Sequence, residues 1–192
     1  MSLGGGKSSA LNTAVNAAVS AGVVMVVAAG NSNKDACSYS PGSATSAITV
    51  GSTTNTDTDA RSSFSNKGKC VDVYAPGSDI SSSWYTSPTA TATYSGTSMA
   101  SPRKFTLVLL LIFCRLCTRP NHPPPPLHYL LFVVDVAGIA AAIRSARPTW
   151  NPTEVRDAIV NSAALPSTGI NLAVVDDIDC QPGRKLIRNR HV

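Results

Sequence analysis

The chain is poor in charged and aromatic residues: only 14% of its 192 residues are Asp, Glu, Lys or Arg, and 6% are Phe, Trp or Tyr. Its 43% of hydrophobic residues nevertheless excludes an intrinsically disordered chain. Glycine and proline, at 13 residues each, are too few for a collagen-like repeat. What remains is a globular protein with one ordinary core, or a large piece of a bigger domain.

A basic face is also missing, although the net charge is +5. Residues 181–192 hold four basic and no acidic residues, and residues 103–135 hold four basic residues and Asp135. The remainder of the chain is slightly acidic. Because the positive charge is confined to one internal stretch and a short tail, we predict that the protein does not bind nucleic acid.

Long hydrophobic runs are absent as well. A membrane-spanning helix needs about 20 apolar residues. The apolar run 105–114 is followed by Arg115 and Pro120, and the run 127–134 meets Asp135. We therefore predict that the protein does not enter a membrane, and keep membrane association as an alternative if residues 103–135 are genuine protein.

The sequence carries no targeting signal. Met1 is followed at once by Ser-Leu-Gly-Gly-Gly, with neither a basic n-region nor an apolar h-region. The chain thus opens in mid-structure, and we expect Met1 to be an internal methionine of a longer, N-terminally truncated protein.

Helix and strand patterns follow one another along the chain. They predict helices over 9–21 and from Asn151 onward, and strands over 23–28, 47–50 and 71–75. The first helix has Ser8 or Ser9 as its N-cap, and the last has the capping box Asn-Pro-Thr-Glu. A helix that leads into a strand buried on both faces predicts an α/β fold, with a parallel sheet flanked by helices.

The strongest local motif is Tyr94-Ser-Gly-Thr-Ser-Met-Ala-Ser-Pro102. Its glycine-containing turn delivers Ser98 to the start of a predicted helix, where free N–H groups favour negative charge beside the hydroxyl. A nucleophilic serine needs that exposure and that electrostatic setting. The alternative is that Ser98 merely caps the helix.

A second candidate, Asn31, follows the buried strand at its carboxyl end, where α/β sheets place their sites. Its side-chain amide could donate a hydrogen bond to a developing oxyanion. The alternative is a turn asparagine in a left-handed conformation.

Together these residues resemble the subtilisin-like serine protease family, and most closely its proteinase K branch. The resemblance covers residues 1–102 and 136 to about 172, in order and in spacing. The matching motifs are Ser2-Leu-Gly-Gly5, Val26-Val-Ala-Ala-Gly-Asn31, Tyr39-Ser-Pro-Gly-Ser43, Ile48-Thr-Val-Gly51, Ser62-Ser-Phe-Ser-Asn66, Asp72-Val-Tyr-Ala-Pro-Gly77, Gly96-Thr-Ser-Met-Ala-Ser-Pro102 and Val136-Ala-Gly-Ile-Ala-Ala-Ala142.

The resemblance implies a subtilisin-like fold and gives these residues roles. Ser98 is implied as the acyl-forming nucleophile, and Asn31 with the backbone N–H of Ser98 as the oxyanion hole. A substrate peptide is implied to lie in a cleft edged and walled by Ser2, Leu3 and Gly4, facing Ala28, Ala29 and Gly30. No cofactor is required for this chemistry.

The general base is missing from its family position. In this family the Asp and His of the triad precede Ser in the chain. Here His122, His128 and His191 all follow Ser98. Because a serine without its base is a poor nucleophile, the isolated chain is expected to be nearly inert.

Residues 103–135 interrupt the family pattern between Pro102 and Val136. If codons 103 and 104 read CGT and AAG, they contain a splice-donor sequence, and codons 134 and 135 can supply an acceptor. Joining the two sides yields a single histidine codon, which restores Ser-Pro-His-Val-Ala-Gly. We therefore expect residues 103–134 to be a translated intron, between catalytic-domain pieces 1–102 and 136–175 and ahead of a basic tail, 176–192.

The resemblance also implies a disulfide between Cys37 and Cys70, which would suit an exported enzyme. Cys180 is left without an evident partner. Cys114 and Cys117 have zinc-ligand spacing, but one such pair alone is a weak signal.

A structural calcium site is implied in the same way. Asp72 aligns with a calcium ligand of the proteinase K branch, whose other ligands include carbonyls at the positions of Thr45 and Ala47. Carboxylate and carbonyl oxygens suit calcium. The alternative is a solvated Asp at the start of a strand.

The resemblance therefore implies a serine endopeptidase that acts on peptide or protein substrates, outside the cell or in a vacuole. Its partners would be that substrate and the absent N-terminal part of the catalytic domain. One rival hypothesis is a peptide-binding remnant that performs no chemistry. The other is the membrane-associated protein considered above.

Overall fold

The computed structural model describes residues 1–54, 60–101, 136–163 and 187–188. The described strands are β1 (Gly5–Gly6), β2 (Val26–Ala28), β3 (Tyr39–Ser40), β4 (Ile48–Thr53), β5 (Val73–Pro76), β6 (Ile80–Ser83), β7 (Thr91–Tyr94) and β8 (Ile187–Arg188). The described helices are α1 (Ser9–Ser20), α2 (Thr97–Ala100), α3 (Val136–Ala146) and α4 (Pro152–Ser162), with a short 3₁₀ helix at Ala36–Ser38.

The central sheet has the strand order β2-β4-β5-β8. Strands β2, β4 and β5 are parallel, whereas β8 runs antiparallel to β5. Every residue of β2, β4 and β5 is buried. The α/β fold with a parallel sheet and flanking helices is therefore confirmed, and a part of the expected basic tail joins the sheet edge as β8.

The main core lies between the sheet and helices α2, α3 and α4. Its buried members are Val26, Ile48, Val50, Val73, Ala75, Ala100, Val136, Ala140, Val155, Ile159 and Ala163. Helix α1 contributes Val15 to a second cluster with Val27, Ala44 and Ala47. Fully burying a Val or Ile side chain stabilises a fold by about 1.5–3 kcal/mol, so these clusters are what holds the sheet and helices together.

All three predicted strands differ from their predicted bounds, and β5 begins at Val73 and ends at Pro76. Strand β2 begins at Val26 because Val23, which is 50% exposed, donates its N–H to Ala18 at the end of α1. Strand β4 continues to Thr53 because Gly51, Ser52 and Thr53 pair with β5. A search for apolar runs does not detect such buried polar residues.

The predicted helix caps are confirmed. The side chain of Ser8 accepts a hydrogen bond from the N–H of Leu11 at the start of α1. At the start of α4, the Asn151 side chain accepts from the N–H of Glu154, and the Glu154 carboxylate accepts from the N–H of Asn151. These reciprocal bonds form the capping box that the sequence indicated.

Helices α2 and α3 meet across the interruption. The N–H of Ala137 donates to the carbonyl of Ser101, with an N···O distance of 3.3 Å. If a single residue replaced 103–135, Ala137 would be the fourth residue after Ser101, and this contact would be an ordinary α-helical hydrogen bond. The ends of the two helices are thus placed as parts of one longer helix.

The interruption itself, with Cys114, Cys117, His122 and His128, lies outside the described residues. So does Cys180. Among the helices that the structure describes, none has the length and apolarity needed to cross a bilayer.

We predict that replacing residues 103–135 with a single histidine yields a continuous helix through α2 and α3. The new residue supplies the missing backbone hydrogen bonds, so far-UV circular dichroism should show more helix and the denaturant midpoint should rise. A single proline in the same place is the control, because proline in a helix interior costs about 3 kcal/mol. Equal helix content and stability in the two variants would contradict the prediction.

Candidate functional site

Ser98 lies at the start of α2, immediately after the hairpin of β6 and β7. Gly96 is the N-cap, Thr97 is the first helical residue, and Ser98 is the second. Ser98 is half-buried, and its hydroxyl donates to the carbonyl of Ser2 at 3.3 Å. The Ser2 hydroxyl donates in return to the Ser98 carbonyl at 3.1 Å. A carbonyl oxygen accepts a hydrogen bond but is too weak a base to take the proton when the hydroxyl attacks. This contact therefore positions Ser98 without activating it.

The amide of Asn31 is oriented by Thr97. Its Oδ1 accepts two hydrogen bonds, from the N–H of Thr97 at 2.8 Å and from the Thr97 hydroxyl at 2.7 Å. The same hydroxyl accepts from the N–H of Gly30 at 3.1 Å. Because Oδ1 is occupied, the Asn31 Nδ2 group is left to donate elsewhere.

Asn31 Nδ2 and the Ser98 N–H border one small space beside Gly96. A Cβ atom built on Gly96 would lie 3.2 Å from Asn31 Nδ2 and 3.7 Å from the Ser98 nitrogen. A side chain at this position would therefore press against Asn31 Nδ2 and lie in van der Waals contact with the Ser98 nitrogen. The structure therefore brings together, next to Ser98, the two groups expected to form an oxyanion hole.

The predicted cleft residues lie beside this site. Met1 adds to the edge of β2: its amine donates to the carbonyl of Val26, and its carbonyl accepts from the N–H of Ala28 at 3.1 Å. Burial lowers the pKa of that amine. After this pairing, Ser2 lies against Ser98. Leu3 is 55% exposed, and Gly4 lies next to the carbonyl of Ser40.

Ala28 and Ala29, predicted to face Ser2, Leu3 and Gly4, are buried, and Gly30 is half-buried. Ala28 and Ala29 are 5% and 1% exposed. Within the protein, Ala29 N–H donates to the carbonyl of Val50, and Gly30 N–H donates to Thr97. These two N–H groups are satisfied within the protein, so neither is free to bind a ligand.

The expected calcium ligand Asp72 is already engaged by other groups of the protein. The Asp72 carboxylate accepts from the N–H of Thr49 at 2.8 Å and pairs with the Arg156 guanidinium at 2.5 Å. Thr45 is exposed and Ala47 is buried. Because a guanidinium already supplies the positive charge at Asp72, this arrangement does not fit calcium while Arg156 holds it. The part of the chain that the structure describes contains no cluster of three metal-ligating side chains.

Cys37 and Cys70 form a disulfide, the pairing that the resemblance implied. It closes a ribbon in which residues 33–37 run beside residues 64–70. Backbone hydrogen bonds in this ribbon join Asn33 to Phe64, Lys67 to Lys34 and Ala36 to Lys67. The disulfide thereby fixes the far end of the loop that carries Asn31.

Sequence reasoning missed three residues that shape the site. Thr97 orients the Asn31 amide, Asn66 bonds to the loop around Asn31, and Arg156 pairs with Asp72. Thr97 and Asn66 stand in the quoted motifs, but the motifs alone give no partner for either. Arg156 lies 84 residues from Asp72, a separation over which a local pattern carries no signal.

The described residues include no general base for Ser98. All three histidines of the chain lie outside them. Tyr74, a residue of β5, is a buried titratable group. Burial raises the pKa of its hydroxyl, although the Arg61 charge opposes the shift. A phenol with a raised pKa stays protonated at neutral pH, so it does not act as a base there.

The comparisons with known proteins point to one family. A family model described as "Subtilase family" matches residues 1–104. Over 102 residues the chain is 66% identical to an extracellular serine proteinase of Thermus sp., a match that covers 53% of this chain and 24% of that protein. It is 64% identical over the same length to cerevisin of Saccharomyces cerevisiae. That match covers 53% of this chain and 16% of cerevisin.

Solved structures agree with this assignment. The crystal structure of a cold-adapted subtilisin-like serine proteinase matches with a TM-score of 0.65 and 40% identity, over 86% of this chain and 47% of that one. The chain thus spans less than a quarter of the length of the curated relatives named above, and about half of the matched solved chain.

We predict that replacing Cys37 and Cys70 with serine lowers the free energy of unfolding by about 3–4 kcal/mol, because the bridge closes a loop with a sequence separation of 33. Chemical denaturation of both forms measures the change. The matched control is Cys180→Ser, which leaves the bridge intact. An unchanged denaturant midpoint in the double variant would contradict the loop-closure account.

We predict that calcium does not shift the melting temperature of this chain, because Arg156 occupies Asp72. Arg156→Met removes the guanidinium and should cost about 1–2 kcal/mol, since the pair is partly exposed. Calcium should then raise the melting temperature of that variant, and Asp72→Asn should abolish the response. Stabilisation of the original chain by calcium would show instead that the ion and Arg156 share the carboxylate.

Proposed function

The chain belongs to the subtilase family, and from that premise we propose that it carries the nucleophile and the oxyanion hole of a serine endopeptidase. In this proposal Ser98 Oγ bonds to the peptide carbonyl carbon and gives its proton to a base. The C–N bond then breaks, the amine leaves with that proton, and water hydrolyses the remaining acyl-enzyme to release the acid and restore the Ser98 hydroxyl. The observation that supports it is the Asn31 amide, held by Thr97 with its donor group beside the Ser98 N–H.

Charge development on the substrate explains why both donors are needed. As Ser98 Oγ bonds to the carbonyl carbon, the carbonyl oxygen becomes an oxyanion. Asn31 Nδ2 and the Ser98 N–H would donate to it, and because the bonds from Thr97 orient the Asn31 amide beforehand, no reorganisation is needed during attack. Removing one such donor costs about 10²–10³ in turnover, a figure that comes from this same family.

The described residues offer no base that could take the proton of Ser98, since its hydroxyl donates only to the carbonyl of Ser2. We propose that the 192-residue chain by itself turns over peptides very slowly, because the base and the Asp that orients it must come from outside its described part. Loss of that base costs about 10⁶ in turnover, again a figure from this family. The partner that completes the site would be the N-terminal part of the catalytic domain.

The proposed setting is an oxidising one. The disulfide between Cys37 and Cys70 suits an exported protein. One relative is an extracellular serine proteinase. We therefore propose an extracellular or vacuolar location, with peptides or proteins as substrates.

The proposal predicts that an external base activates Ser98. A fluorophosphonate reacts with an activated serine hydroxyl, so imidazole should accelerate labelling of Ser98 by at least about tenfold. Peptide mass mapping identifies the labelled residue. Ser98→Ala should remove the adduct, and Asn31→Ala should slow labelling by a factor approaching about 10².

Ser9 provides an internal control in the same sample. It also lies in the first turn of a helix, α1, but neither Asn31 nor Thr97 is bonded to that turn. Labelling of Ser98 at the rate of Ser9, with no response to imidazole, would contradict the protease proposal. That result would favour a peptide-binding remnant that performs no chemistry.

A further inference from the structure

Asn66 is a fully buried polar residue, 0% exposed, for which the proposed chemistry has no direct use. Its side-chain Nδ2 donates to the carbonyl of Ala29 at 2.8 Å. Its Oδ1 accepts from the N–H groups of Ser32 and Lys34, both at 3.0 Å. Both ends of the amide are therefore engaged with one short loop.

These hydrogen bonds lie on both sides of Asn31. Before Asn31, the Asn66 amide bonds to Ala29, and the backbone N–H of Asn66 donates to the carbonyl of Gly30 at 2.9 Å. After Asn31, it bonds to Ser32 and Lys34. One side chain thus replaces the regular backbone pairing that the loop lacks once β2 has ended.

Gly30 makes room for this contact. Its φ is +102°, a conformation that favours glycine. A Cβ atom on Gly30 would lie 2.4 Å from Asn66 Nδ2, which is closer than two such atoms can approach. The loop conformation and the position of the Asn66 amide therefore depend on each other.

Asn66 is itself anchored to the central sheet. The adjacent Ser65 hydroxyl accepts from the N–H of Ser52 in β4 at 2.9 Å and donates to the carbonyl of Asn66 at 3.0 Å. The N–H of Asn33 donates to the carbonyl of Phe64 at 2.8 Å. The amide is thus fixed relative to β4, and the loop is fixed relative to the amide.

We infer that Asn66 is a positioning residue for the oxyanion hole. It fixes the backbone on both sides of Asn31, so that Asn31 Oδ1 meets Thr97 and Nδ2 is directed into the space beside Ser98. This inference rests on the proposed function, because it assigns Asn66 a role in the same site. Asn66 touches no reacting atom.

Asn66→Asp tests the inference with a change of almost no volume. The ionised carboxylate keeps the acceptor for Ser32 and Lys34 but places an oxygen without a proton against the carbonyl of Ala29. The protonated acid regains the donor, and burial favours that neutral form. The variant should therefore position Asn31 as the original chain does at about pH 5, and should fail to do so at about pH 8.

The readout is the side-chain NH₂ signal of Asn31 in a ¹⁵N NMR spectrum, assigned by its loss in Asn31→Ala. In the original chain this signal should stay constant over the pH range. In Asn66→Asp it should shift or broaden at the higher pH and recover at the lower one. Asn66→Ser, whose hydroxyl cannot span Ala29 and Ser32, should perturb the signal at both pH values, and serves if the first variant unfolds.

Ser62→Ala is the matched control. Ser62 is 1% exposed and bonds to the hydroxyls of Ser52 and Ser78, but not to the loop around Asn31. It should cost stability and leave the Asn31 signal unchanged. An Asn31 signal that ignores both Asn66 variants, or that changes equally in Ser62→Ala, would overturn the inference.

Labelling of Ser98 separates this inference from the proposed function. If Asn31 responds to Asn66→Asp while fluorophosphonate never labels Ser98 in the original chain, the positioning of Asn31 stands and the protease function fails. If Ser98 is labelled in an imidazole-dependent way and Asn31 ignores Asn66, the function stands and the role of Asn66 is wrong.

Discussion

Two hydrogen bonds from Thr97 to the amide oxygen of Asn31 join the loop after β2 to the start of α2, and the site depends on them. They form because β2, β4 and β5 are parallel, which brings the carboxyl ends of these strands to the same edge of the sheet. Strand β2 ends shortly before Asn31 at that edge, and β5 is followed by the hairpin of β6 and β7 and then by Ser98. Parallel pairing is thus what makes residues 67 positions apart in sequence act together.

Much of this arrangement could be predicted from the sequence, because its signals are local. Continuous apolar runs indicated β2, β4 and β5, and the capping box indicated α4. The motif around Ser98 and the position of Asn31 pointed to the site through a family resemblance. The roles of Thr97 and Asn66 could not be predicted, since each depends on partners more than 30 residues away. The polar end of β4 was missed because buried polar residues do not stand out as an apolar run, and the pairing of β8 was missed because its partners in β5 lie more than 100 residues away.

The interruption at residues 103–135 bears on the fold, whereas the missing base bears on the chemistry. Helices α2 and α3 are placed as one helix, joined by the hydrogen bond from Ala137 to Ser101, although 35 residues separate these two in the sequence. Helices α3 and α4, which follow that gap, pack in one core with strands β2, β4 and β5, which precede it. The described parts of the fold therefore keep the site, although residues 103–135 interrupt the sequence. Chemistry, in contrast, needs a proton acceptor that the described residues do not include.

The central claim is that Asn31 and the Ser98 N–H stabilise an oxyanion on a group attached to Ser98. The most direct measurement is a crystal structure of the chain with a phosphonate bonded to Ser98 Oγ. The account predicts that the phosphoryl oxygen lies about 2.7–3.1 Å from Asn31 Nδ2 and from the Ser98 nitrogen. A phosphoryl oxygen turned to solvent, with the Asn31 amide directed elsewhere, would contradict it.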